Sequence, residues 1–180
     1  MKRRQFLKSL AVTGTGLLLP RTPIFGAEAP SNKLNIALLG TWGRGEAHFG
    51  AISSENVVAL CDVNEEHLAF GAKKFPGAKT YVDWRKCIEQ KDVQAVVCCT
   101  ADHTHAFVAN WAMNRGLHVY CEKPLANSVE EARVVRATYL KNKARLATQC
   151  GTQRHAIENF NRVRELVRDG AIGELQEVSA

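Results

Sequence analysis

From Leu34 onward, short apolar runs alternate with stretches whose apolar residues recur at helical spacing. The runs are Leu34–Leu39, Val57–Cys61, Lys79–Val82, Gln94–Thr100, Leu117–Cys121 and Arg145–Gln149. Between them Arg44–Ile52, Glu65–Phe75, Asp83–Glu89, Thr104–Asn114 and Ser128 to about Leu140 read as helices. The punctuation agrees with this division. Asp83 suits an N-cap, Ser128-Val-Glu-Glu131 is a capping box, and Gly116 stands where a helix C′ glycine is expected. Ile157–Arg168 reads as a further helix stopped by Gly170, and Leu175–Val178 as the start of another element. Strands that are apolar throughout and spaced by helices belong to a parallel sheet covered on both faces. The expected fold class is therefore α/β, a Rossmann-type doubly wound parallel sheet over residues 30–150, followed by the start of an incomplete α+β second domain at 151–180.

The first 29 residues follow other rules. Lys2-Arg3-Arg4 leads into Gln5-Phe6-Leu7-Lys8, a modestly apolar stretch from Ser9 to Leu19, Pro20, and the small-x-small site Ala27-Glu28-Ala29. About a dozen apolar residues cannot span a bilayer, which takes ~20. The paired arginines resemble a twin-arginine signal, which implies export of a folded chain to the periplasm or another extracytoplasmic space. This segment also explains the charge. It holds five of the 24 lysines and arginines and one of the 18 acidic residues. The remaining chain has 19 basic and 17 acidic residues, too even a balance for an electrostatic nucleic-acid surface. No C-x-x-C pair occurs among the six cysteines, and most lie in apolar runs, so they read as buried free thiols. Adjacent Cys98 and Cys99 should point to opposite sheet faces.

Candidate chemistry collects at the strand ends. The first turn, Gly40-Thr41-Trp42-Gly43-Arg44-Gly45, is a degenerate G-x-G-x-x-G with Trp42 at the second glycine position. Gly43, one residue later, can supply the missing clearance. Asp62 ends the second strand 22 residues after Gly40, where a carboxylate accepts from an adenosine ribose and repels a 2′-phosphate. That favours NAD, although Arg44 could partly reverse the preference toward NADP. The fourth strand runs into Thr100-Ala101-Asp102-His103-Thr104-His105, and the fifth into Glu122-Lys123-Pro124. In a partly dry crevice Lys123 could donate or accept a proton; on open surface it would be an ordinary loop lysine. A cis bond before Pro124 is possible. His103 and His105 form an H-x-H pair without a nearby third ligand, so no metal is expected.

The segments GTWGRGEAH, ALCDVN, CCTADHTHAFVANWAMNRGLHVYCEKPL and GAIGELQEV together resemble the Gfo/Idh/MocA oxidoreductase family. The resemblance implies that Gly40, Gly43, Gly45 and Asp62 contact a nicotinamide dinucleotide, with Trp42 and Arg44 in the same loop. It implies that Thr100, Ala101, Asp102 and His105 line the nicotinamide-side ribose, that Glu122 touches that ribose, and that Lys123 lies at the hydride-transfer centre. Sugars, polyols and their derivatives are the implied substrates, with homo-oligomers when full length. Family lysines cooperate with a histidine and an acid of a second domain, most of which is expected to lie beyond residue 180. The family also includes NAD-assisted glycosidases. A non-catalytic nucleotide-binding fragment is the remaining alternative. Trp42 replaces a residue that is usually small, and Asp102 stands where asparagine is common.

Overall fold

The computed structural model describes residues 33–152 and 157–178. The leader expected over 1–29 lies outside these residues. Six strands are β1 (Asn35–Leu39), β2 (Asn56–Cys61), β3 (Lys79–Tyr81), β4 (Ala95–Cys98), β5 (His118–Glu122) and β6 (Thr148–Gly151). They pair in parallel in the order β3-β2-β1-β4-β5-β6. The order reverses between β1 and β4, and ligands of open α/β sheets bind in the crevice at such a switch point.

Strand alternation divides the core in two. Leu39, Cys61, Val96, Cys98 and Cys121 face one layer, which contains Ala106, Val108 and Ala109 of α4 (Asp102–Asn114). That layer also takes Cys87 of α3 (Trp84–Ile88) and Val135 of α5 (Val129–Asn142). Ile36, Leu38, Leu60 and Val97 face the other. There they meet Phe49 and Ile52 of α1 (Phe49–Ile52) and Leu68 of α2 (Glu65–Lys74). Cys98 and Cys99 fall in opposite layers, as alternation requires. All six cysteines are free. Among the described residues no helix is long and apolar enough to cross a membrane.

Several boundaries depart from the sequence pattern. The helix expected over Arg44–Ile52 is a 3-10 turn, Glu46–His48, running into one turn of α1. Gly43, Gly45 and Gly50 make this stretch a poor helix former. Helix α4 starts at Asp102, not Thr104, so Asp102 and His103 lie in its first turn. β6 is Thr148–Gly151, three residues later than expected, because α5 runs on to Asn142. Helix α6 (Glu158–Arg168) forms as expected, but Leu175–Val178, read as the start of another element, has no regular structure.

The Ser128 half of the capping box forms as read, its Oγ accepting from Glu131 N at 3.1 Å, but the return bond is shifted by one residue, Glu131 Oε2 accepting from Asn127 N at 2.9 Å. Ser128→Ala should therefore cost about 1 kcal/mol in a urea melt. No change in midpoint would show that tertiary contacts alone hold the start of α5.

Candidate functional site

The first β-α turn is built on backbone proximity. Gly40 has φ +83°, and a Cβ on it would overlap the Cys99 carbonyl oxygen and lie 2.6 Å from its carbon. The turn is stitched to both neighbours: Gly40 N donates to Cys61 O at 2.8 Å and Cys99 N to Leu39 O at 2.7 Å. Gly45 folds back on the start of the turn, where a Cβ would overlap Gly40 O and sit 2.7 Å from Gly40 C. Gly43 has φ +58° with nothing within 4 Å of a Cβ, so the crest of the turn is open. Closed by glycine at its ends and open at its crest, the cradle fits a phosphate approaching the backbone.

Asp62 holds this turn in place. Its Oδ2 accepts from Thr41 N at 2.9 Å, and its Oδ1 from Asn64 N at 3.0 Å. The buried Thr41 hydroxyl donates to His67 O at 2.7 Å. Its side chain fits because Gly71 of α2 has none; a Cβ there would lie 3.0 Å from Thr41 Cβ. Each Asp62 oxygen keeps a lone pair for a ligand hydroxyl. Asp62, Gly40, Trp42, Thr100 and Ala101 line one cleft of about 360 Å³, together with Val63, His67 and Trp84.

A second cluster lies on the far side of β1. The Glu122 side chain is only 4% exposed; its Oε1 accepts from Arg44 Nε and His48 Nε2, both at 2.8 Å, and from the Tyr120 hydroxyl at 3.3 Å. Burial favours the neutral acid, but the Arg44 and His48 hydrogen bonds outweigh it and hold the carboxyl below its ordinary range. The same bond raises the Arg44 guanidinium further. Among the described residues Glu122 Oε2 is buried without a partner, and it faces Gly151, where a Cβ would meet it at 2.5 Å. The guanidinium of Arg44 therefore points toward β5, away from Asp62, and is not placed to receive a 2′-phosphate. Lys123 follows Glu122, is exposed, and is joined to Pro124 by a cis peptide bond.

The buried His105 ring ties these parts together, with Nδ1 2.7 Å from Pro124 O and Nε2 2.9 Å from Thr100 O. The H-x-H pair itself does not meet at a site: His103 lines the cleft and His105 lies behind it. The fold does bring Cys98 and Cys121 close, so that ligand atoms of Cys98, His105 and Cys121 lie within 4.8 Å of one another. No spacing in the sequence signals this, since three separate elements supply the residues. Both in-plane directions of the imidazole are filled by carbonyls at hydrogen-bond distance, which leaves no room for an ion on either nitrogen. Hydrogen bonding to Cys98 and then burial push the Cys121 thiol well above the usual range. The cluster is core structure.

Residues 34–150 match the GFO_IDH_MocA family model, described as an oxidoreductase family with an NAD-binding Rossmann fold. The chain belongs to the Gfo/Idh/MocA family. An inositol 2-dehydrogenase of Salmonella paratyphi B is 32% identical over 124 residues, covering 68% of this chain and 37% of that protein. A glycosyl hydrolase family 109 protein of Stenotrophomonas maltophilia is 30% identical over 202 aligned positions, covering 100% of this chain and 42% of its own length. Among solved structures, a scyllo-inositol dehydrogenase of Lactobacillus casei with bound NAD(H) and scyllo-inositol superposes with TM-score 0.72. At 23% identity, over 79% of this chain and 43% of that one, it shows the shared fold. The chain thus spans about two fifths of the length of the relatives it matches.

Within the Gfo/Idh/MocA domain the expected site residues divide between two places. Gly40, Trp42, Asp62, Thr100 and Ala101 share the cleft. Arg44 and Glu122 pair with each other. Asp102 is exposed at the start of α4, and His105 is buried behind the cleft. Sequence reasoning missed Thr41, His67 and Trp84 on the cleft side, and His48, Tyr120 and Gly151 around Glu122. One signal was available: His48 follows Arg44 by four residues, the spacing that brings two side chains to one helix face.

Proposed function

We propose that this chain is the nucleotide-binding half of an oxidoreductase that moves a hydride between a nicotinamide and a carbinol carbon of a polyol or sugar. The observation that carries it is the glycine cradle at the switch point with Asp62 beside it, in a chain whose relatives include inositol dehydrogenases. Gly40, Gly43 and Gly45 would hold the pyrophosphate, Asp62 the adenosine ribose, and Thr100 and Ala101 the remainder of the dinucleotide. NAD, when bound, supplies the hydride acceptor. Lys123 Nζ would hold and move the hydroxyl proton as the C–H bond is given up. Glu122 acts from behind, fixing Arg44 and His48 against the end of β5. Residues 1–29 would direct the folded protein outward by the twin-arginine route, consistent with a nucleotide acquired in the cytoplasm.

The test is calorimetric titration of the chain with NAD, followed, in a complete version that carries the substrate domain, by an assay for NADH with inositols and other polyols. Lys123→Ala should leave NAD affinity within about threefold and lower turnover by roughly 100-fold or more, the usual scale for losing a proton-transfer group. Unchanged turnover would remove Lys123 from the reaction. The family 109 relative favours a second reading, because its alignment spans the whole chain. An NAD-assisted hydrolase would cleave a glycoside with no net NADH; accumulation of NADH excludes it.

A further inference from the structure

At the dinucleotide site just proposed, the space beside Asp62 is bounded by an aromatic stack. Trp42 occupies the second position of the glycine turn, yet its indole does not cover the crest. It lies flat on the His67 imidazole of α2, with ring centres 5.0 Å apart and planes 8° from parallel. Phe70, three residues along α2, meets the indole edge-on at 5.1 Å and 75°. His67 is itself fixed. Its carbonyl takes the Thr41 hydroxyl, and its Nδ1 stands 3.8 Å from Asp62 Oδ1. The indole is therefore a wall of the cleft, propped by α2 on the side of Asp62. No lysine or arginine lines that cleft among the described residues, and Val63 follows Asp62 where a cation would have to stand. Arg44, the cation of the turn, is held at Glu122.

We propose that the Trp42–His67 stack is a specificity element. It fills the space a phosphate on the 2′ oxygen of the adenosine ribose would need, so the site refuses NADP by shape as well as by charge. A 2′-hydroxyl can donate to Asp62 and needs no further room. A phosphate ester there brings about −1.5 to −2 charges and three acceptor oxygens, with no lysine or arginine of the cleft beside it to receive them. Charge repulsion by Asp62 weakens with salt, whereas a steric wall does not.

Shape and charge are separable by titrating NAD and NADP into wild type, Asp62→Asn, Trp42→Ala and the double variant. Asparagine keeps an oxygen for Thr41 N while removing the charge. If the stack excludes the phosphate, Asp62→Asn alone leaves NADP binding weak, and adding Trp42→Ala tightens it by roughly tenfold or more. His67→Ala in the Asp62→Asn background removes the prop instead of the indole and should act in the same direction, which covers the case in which Trp42→Ala does not fold. Full NADP binding in Asp62→Asn alone overturns the proposal. So does an Asp62→Asn background that neither Trp42→Ala nor His67→Ala alters. If wild type binds NAD and the stack variants do nothing, only this inference falls; if wild type binds neither dinucleotide, the reading of the site falls with it.

Discussion

Gly45→Ala should cost the domain about 3 kcal/mol and remove measurable dinucleotide binding, the overpacking penalty being large because both sides of the clash are backbone. A Cβ at this position would overlap the Gly40 carbonyl oxygen and approach Thr41 Cα to 3.3 Å. No rotamer relieves such a clash, since nothing in contact is the far end of a flexible side chain. Relief requires the turn to open, and the turn is held from outside by Cys61 O and by Asp62. Opening it would also displace the backbone proposed to meet the phosphate. Gly43→Ala is the matched control. Its φ of +58° is unfavourable for alanine, but nothing lies within 4 Å of the new Cβ. The expected cost there is about 1–2 kcal/mol from the backbone alone. Thermal melts separate the two, with Gly45→Ala lowering the midpoint by roughly 10 °C and Gly43→Ala by about one to two thirds of that. Equal shifts would mean that conformation, not space, governs the turn.

The contrast shows what kind of information the chain exposes. The four central strands are legible because each is a short apolar run between helical periods, whereas the edge strands β3 (Lys-Thr-Tyr) and β6 (Thr-Gln-Cys-Gly) are mostly polar and exposed. The Gly40 turn and Asp62 are legible because their spacing is local to one β-α-β unit. Trp42 is visible as a departure, but its destination is not: that depends on His67 and Phe70, which pack beside it only after α2 docks. Arg44 is the plainest case. In sequence it sits in the nucleotide loop and suggests a phosphate ligand; in the fold it belongs to a carboxylate 78 residues away. Non-local ion pairs leave no period and no spacing. For the same reason the late end of α5, which packs on α4 and so displaces β6, and the pairing of β6 with β5 are set by tertiary contacts that override local propensity.

Glu122→Ala should destabilise the domain by about 2 kcal/mol, less than the 3–5 kcal/mol typical of breaking a buried pair. The discount follows from exposure: the Arg44 side chain is 42% exposed and can return to water, so it is not stranded in the interior. His48, at 13%, is less free. Glu122→Gln keeps an oxygen for one donor and should lose about half as much. The charge makes the effect depend on pH. The folded-state carboxyl titrates below its ordinary value of 4.5, so it contributes stability that is fully present above that value and is lost as pH falls through the folded-state one. The stability gap between wild type and Glu122→Ala should therefore be constant from neutral pH down to about 5 and close progressively below about 4.5. Urea melts across this range provide the measurement. A gap that persists undiminished into strong acid would show that Glu122 acts through volume alone. A gap that closes would show that the charged bonds to Arg44 and His48 are what Glu122 contributes, tying the glycine turn after β1 to the end of β5, the strand that runs into Lys123.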